Sequence, residues 1–224
     1  SQGVEDVTTR TRYFDDVERL GFDIAYTVYS ALPFEDVVGK YRDVYSEFVV
    51  EAHRRSLPAC IEIESTVCAG DRVGVDEAQY NVSNGPVEWG KKGFFASFAS
   101  DEWKSYLKEL LAIFIRDYGY DYVVLSAPRY RVDVPGTKDR FHAKFVAAHP
   151  GLKYPERRQE TTEYLLVQQE KADTVVSFFH DLAVHAKSVG AKKVGVQLTL
   201  FTPTVEGTPE GSLNPACDIG RLAR

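Results

Sequence analysis

The sequence predicts an α/β protein: a single domain over residues 1–224, folded as a (β/α) barrel of TIM type that is partial in its strand count. Three observations predict it. Helix-period and strand-period segments alternate along the chain, helix-to-strand connections are short where strand-to-helix connections are long, and the strands are apolar on one side and polar on the other.

The chain opens on a helical pattern over 9–20, closed by Gly21, which can take the left-handed conformation that ends a helix. Residues 23–29 then alternate, with Ile24, Tyr26 and Val28 on one side and Ala25, Thr27 and Tyr29 on the other, the period of a strand. From Phe34 to Ala52, apolar residues including Val37, Tyr41, Val44, Tyr45 and Phe48 recur at three and four, one buried helical stripe. Pro33 suits its first turn, Glu35 and Asp36 its positive N-terminal end, and Arg54 and Arg55 its negative C-terminal end. A second strand follows at 59–66. After an irregular stretch over 67–99, Ser100 opens a helix with Trp103, Tyr106, Leu107, Leu110, Leu111 and Phe114 on one stripe, stopped by Gly119. A third strand at 121–127, a second irregular stretch at 128–159, a helix over 161–189 closed by Gly190 and a last strand at 193–201 complete the pattern. A proline- and glycine-rich loop occupies 203–215.

Strands separated by helices are parallel neighbours, because parallel pairing needs long crossover connections. The turns at 56–58, 119–120 and 190–192 are short, so the elaboration lies beyond the carboxyl ends of the strands, where parallel α/β proteins bind ligands. Strand faces separate a barrel from an open doubly wound sheet. Ile61 and Ile63 oppose Cys60, Glu62 and Glu64, and Val194, Val196, Leu198 and Leu200 oppose Gly195, Gln197 and Thr199. A sheet covered by helices on both faces is apolar on both, whereas polar inner faces suit a barrel with a ligand-accessible interior. Only four strands are recognisable and no methionine occurs. The barrel is therefore expected to be incomplete, its closure supplied by further segments or by a second chain in a homo-oligomer.

Composition excludes several function classes. Hydrophobic residues at 44% and charged residues at 27% describe an ordinary globular protein, and no run of 18 apolar residues offers a membrane span, so no membrane partner is expected. A net charge of −6 lacks the Lys and Arg surplus that phosphate neutralisation needs, which argues against a nucleic-acid partner. Cys60, Cys68 and Cys217 form no CxxC pair and are odd in number, so reduced thiols and a cytoplasmic location are expected, and the opening Ser1, Gln2 and Gly3 carry no signal-peptide pattern. His53, His142, His149, His180 and His185 show no metal-ligand spacing, and no phosphate-binding glycine loop or serine-hydrolase elbow occurs. Neither a metal nor a cofactor is expected.

Candidate chemistry collects at the strand ends. Glu62 and Glu64 share one side of a strand about 7 Å apart, because alternate residues rise about 3.3 Å each. Carboxylates removed from water are paired or protonated, and a raised pKa is what a general acid needs. Glu64, nearer the open end, is the candidate catalytic residue, with Glu62 as a substrate contact; both as anchors of a hydrogen-bond network is the alternative. Past the third strand, Arg129, Tyr130 and Arg131 gather cationic and aromatic groups able to position a polyhydroxylated ligand, with Asp133 as a second catalytic candidate. A salt-bridged surface loop is the alternative there. Trp89 can stack on a sugar ring or pin its loop. Tyr29, Ser126, Gln197, Thr199 and Glu206 lie at or beyond strand ends as polar binding positions.

Three stretches resemble glycoside-hydrolase barrels. FDDVERLGFDIAYTVYS is similar to the helix and strand on which such barrels begin, and EAHRRSLPACIEI to their helix ending in a basic cluster before a strand. SDEWKSYLKELLAIFIRDYGYDYVVLSAPRY resembles the segment in which a Trp-bearing helix leads to a strand that often carries an active-site acid. The resemblance covers roughly half the chain and implies hydrolysis of O-glycosyl bonds by carboxylate acid/base chemistry, with an oligosaccharide or other small molecule as ligand. Ser126 stands where amylase-like members have an aspartate nucleophile nearby, and the Asn-Glu pair of galactosidase-like members is absent. Two other functions stay open: a non-catalytic carbohydrate-binding barrel, and a barrel enzyme acting on another polar metabolite.

Overall fold

The computed structural model describes residues 7–90, 93–126, 130–158 and 161–197. In chain order the first half comprises α1 (Val7–Arg19), β1 (Ala25–Tyr29), α2 (Phe34–Val38), α3 (Arg42–Arg54), β2 (Ala59–Glu64), β3 (Val67–Cys68), β4 (Glu88–Trp89) and β5 (Gly93–Phe95). The second comprises α4 (Asp101–Ala112), β6 (Tyr122–Ser126), α5 (Arg140–Ala148), α6 (Thr162–Ser188) and β7 (Lys193–Gln197). The predicted continuation of the last strand over 198–201 and the loop after it lie outside the described residues.

β1, β2, β6 and β7 form one parallel sheet in that spatial order. The order never reverses, so right-handed crossovers place every connecting helix on the same side. Burial bears this out. Ala25, Tyr29, Ala59, Ile61, Ile63, Val123 and Leu125 are buried against the helices, and Val194 and Val196 pack on the same core. Helix aromatics fill the layer: Phe14 of α1 lies 5.1 Å from Phe48 of α3 between ring centroids, and Tyr45 lies 4.9 Å from Phe114. Trp103 of α4 is fully buried and its indole N–H donates to the Ser65 carbonyl at 3.0 Å, fastening α4 beneath the end of β2.

The other face carries no helix among the described residues, and its residues stand in register. Tyr26, Cys60, Tyr122 and Lys193 form one row, Val28, Glu62, Val124 and Gly195 the next, and Glu64, Ser126 and Gln197 the row nearest the carboxyl ends. The predicted parallel sheet is present with one buried apolar face; on the other, Val28, Val124 and Gly195 stand among the polar residues, which dominate only the row nearest the carboxyl ends. Barrel closure is not seen: among the described residues the sheet has four strands, with β1 and β7 at its edges. No described helix is long and apolar enough to cross a membrane.

Several elements depart from expectation. The stripe from Phe34 to Ala52 is two helices, because Gly39 ends α2, its N–H bonding back to the Glu35 carbonyl at 2.9 Å, before α3 restarts. Both halves bury the same side, so the three-and-four pattern runs through the break. The stretch at 67–99 is not irregular: β3, β5 and β4 make a small antiparallel sheet beyond the end of β2. Strands of two or three residues are too short for alternation to show. The second irregular stretch contains α5, opened by Asp139, whose carboxylate accepts from the Phe141 N–H at 2.9 Å. The helix begun at Asp101 ends in a wider π turn, Ile113–Asp117.

Candidate functional site

The site begins at β2, where alternation of ACIEIE puts Ile61 and Ile63 into the core and leaves Glu62 and Glu64 half-buried on the opposite face. The Tyr26 hydroxyl, one strand over, donates to a Glu62 carboxylate oxygen. Burial holds the Glu62 carboxyl above its ordinary value; the nearby Ser126 hydroxyl offsets part of this, and the Glu64 charge adds to it. Glu64 accepts from the Thr66 hydroxyl at 2.6 Å. Ser126 is buried at the end of β6, donating to the Ile63 carbonyl at 3.2 Å, and Gln197 of β7 is exposed beside it in register.

Around this row the connections after β2 and β6 are sewn into one rim. Gln79 donates to the Ala96 carbonyl and accepts from the Arg131 N–H at 2.7 Å, joining the small sheet to the segment after β6. Asp139 is buried between them, accepting from Ser97 Oγ at 2.7 Å and from the Tyr80 and Phe141 N–H groups. Burial raises its pKa despite these donors. Gly136 donates to the Tyr80 carbonyl at 2.7 Å in a contact so close that a Cβ there would lie 2.0 Å from the Asn81 carbonyl oxygen. Arg140 and Glu77 form an ion pair across the same seam. Beneath it the fully buried Lys171 of α6 donates to the carbonyls of Val132 and Asp133 at 2.9 and 2.7 Å, and burial lowers its pKa to about 8.

The structure brings together Glu62, Glu64, Ser126 and Gln197. Trp89 shares with Tyr26, Val28, Leu32 and the α3 residues Val44 and Phe48 a groove of about 640 Å³ along β1, at the edge of the sheet. Other sequence-predicted residues lie elsewhere. Tyr29 points to the helix side, 1% exposed, with its hydroxyl on the Leu32 carbonyl and beside that of Tyr106. Tyr130 is 2% exposed, packed against Phe98 and Phe141. Arg131 is exposed, its guanidinium 4.6 Å over the Phe95 ring. Asp133 is exposed and accepts from the Tyr164 hydroxyl at 2.7 Å. Arg129, Thr199 and Glu206 lie outside the described residues. Sequence reasoning missed Tyr26 as a partner of Glu62, although its parity with Val28 on β1 already placed it on the polar face.

At the opposite, amino-terminal end of the sheet, Asp121 is buried and accepts from Lys192 Nζ at 2.6 Å and the Ala59 N–H at 2.9 Å, with His53 Nε2 at 2.7 Å. This cluster ties β2, β6 and β7 together at the end of the sheet away from the carboxylate row.

No protein-family model matches the sequence, and no curated protein matches it. Among solved structures the chain is similar to an α-galactosidase from Lactobacillus brevis, over 83% of this chain and 24% of that one, at 13% identity and a TM-score of 0.50. It is also similar to an α-galactosidase from Geobacillus stearothermophilus in complex with stachyose, over 84% of this chain and 25% of that one, at 12% identity and a TM-score of 0.49. The chain thus spans about a quarter of the length of either structure. At this identity the likeness is one of fold: a glycosidase-like parallel α/β architecture.

Proposed function

We propose that this chain carries part of a glycoside hydrolase-like site, in which an oligosaccharide lies on the helix-free face of the sheet and Glu64 performs acid/base chemistry. The observation that carries the proposal is the row Glu64, Ser126 and Gln197, with Glu62 one step below, on three adjacent parallel strands at their carboxyl ends. That is where parallel α/β enzymes place reacting groups. A carboxylate pair, a hydroxyl and an amide suit a polyhydroxylated ligand, since each can accept from or donate to sugar hydroxyls. Asp133, with one oxygen taken by Tyr164, enters as a group that shapes the rim, and Arg131 as a sugar contact from it. The α-galactosidase neighbours make an α-galactoside the first substrate to try.

The test is Glu64→Gln. Loss of general acid/base catalysis typically lowers turnover by about 10²–10⁴-fold, so hydrolysis of an α-galactoside by the native protein should fall by that order. Full activity in the variant would remove Glu64 from the chemistry. Ser126 at the end of β6, where glycosidases often place an acid, favours one other reading, a non-catalytic carbohydrate-binding module. Saturable sugar binding with no turnover by the native protein would decide for it.

A further inference from the structure

We infer that Glu62 is the proton donor of this site and that Tyr26 positions it, with the groove between Trp89 and Tyr26 holding the leaving group. The inference rests on the hydrolase reading above and divides the labour between its two glutamates. Three observations support it. Tyr26 is shared: its hydroxyl donates to Glu62 while its side chain lines the groove that runs along β1 to Trp89. Glu62 is flanked in its row by Val28 and Val124, apolar neighbours that disfavour an ionised carboxyl, whereas Glu64 lies one step nearer the open end and accepts from the Thr66 hydroxyl. Finally, the groove combines the apolar walls of Val28, Leu32 and Trp89 with the hydroxyls of Ser30 and Tyr41, chemistry that fits a sugar ring or an aryl group.

Among the described residues, few other titratable or charged groups stand on this face of the four strands. They are Tyr26 from β1, Cys60 and Glu64 from β2, Tyr122 from β6 and Lys193 from β7, the last with its ammonium 5.0 Å from the Tyr122 ring. Of these only Glu64 opposes ionisation of Glu62 by its own negative charge, and burial acts in the same direction. In the reaction the Glu62 proton passes to the glycosidic oxygen as its bond to the anomeric carbon breaks. A water oxygen adds to that carbon and gives its proton to Glu64, and exchange with solvent returns Glu62 to the acid and Glu64 to the carboxylate.

The experiment compares Glu62→Gln with the native protein on two α-galactosides, one with an alkyl or sugar leaving group and one with a dinitrophenyl group that departs without protonation. The expected result is a loss of about 10²–10⁴-fold on the first and less than about tenfold on the second. Equal losses on both, or no loss on either, would overturn the assignment while leaving the hydrolase reading in place. No turnover of either glycoside by the native protein would overturn that reading and this assignment with it. Tyr26→Phe tests positioning: removing a donor to the carboxylate raises the Glu62 pKa further, so the alkaline limb of the pH–rate profile should move to higher pH. An unmoved limb would deny Tyr26 that role. Melting curves of both variants separate these effects from misfolding.

Discussion

Single side chains fix the two ends of the sheet in different ways. At the amino-terminal end, burial alone would raise the Asp121 carboxyl, but Lys192, His53 and the Ala59 N–H overcome it and hold its pKa below the ordinary value. A carboxyl depressed in the folded state stabilises the fold above its unfolded pKa, and the contribution disappears as pH falls through the lowered one. Asp121→Asn should therefore lower stability at neutral pH by about 1–3 kcal/mol, and the difference from the native protein should shrink in the acid range below about pH 4. Urea unfolding across that range measures both. At the carboxyl end, the shared face of Glu62, Glu64 and Gln197 was legible in the sequence, because a period of two assigns faces without coordinates. Tyr29 and Tyr130 were not placed correctly by nearness to a strand end. Tyr29 shares parity with Ala25, which turns it inward, and Tyr130 is drawn into an aromatic cluster with Phe98 and Phe141.

Among elements, the rim after β2 and β6 was the least legible part of the molecule. Its order comes from contacts between residues 40 to 60 positions apart, such as Asp139 with Tyr80 and Ser97, and local patterning carries no trace of these. Gly136 is the tightest point of the seam. Gly136→Ala should cost about 1–3 kcal/mol or more through overpacking and should render the segment after β6 more sensitive to protease, with the sheet retained by circular dichroism. Lys171 acts from below. Lys171→Met leaves the Val132 and Asp133 carbonyls without their buried donor, at about 1–3 kcal/mol for each unsatisfied group. The sign of its pH dependence follows from a pKa lowered to about 8: between there and its unfolded value near 10.4 the native state binds fewer protons. Stability should rise with pH through that window in the native protein relative to the variant. The helices α4 and α6, by contrast, were well marked, since Ser100 and Thr161 cap them by accepting from the N–H groups of Trp103 and Tyr164.

For the whole molecule, the architecture follows from one asymmetry. The four described strands, laid side by side without reversal, put their crossovers on one side, so one face becomes core and the other carries a mixed set of side chains whose polar members gather toward the carboxyl ends. Parallel order and facing were readable because alternation of helix and strand and the one-sided polarity of β2 and β7 agree. Barrel closure was not, since it depends on how the two edges are met rather than on any strand's own pattern. The central claim is that the helix-free face binds a carbohydrate at the carboxyl ends of its strands. Its most direct test is an NMR titration of the isotope-labelled protein with an α-galactoside oligosaccharide. Saturable shifts at Tyr26, Glu62, Glu64, Ser126 and Gln197 are predicted, with His53, Asp121 and Lys192 unmoved. Shifts gathered at that amino-terminal cluster, or no saturable shift along the carboxylate row, would contradict it.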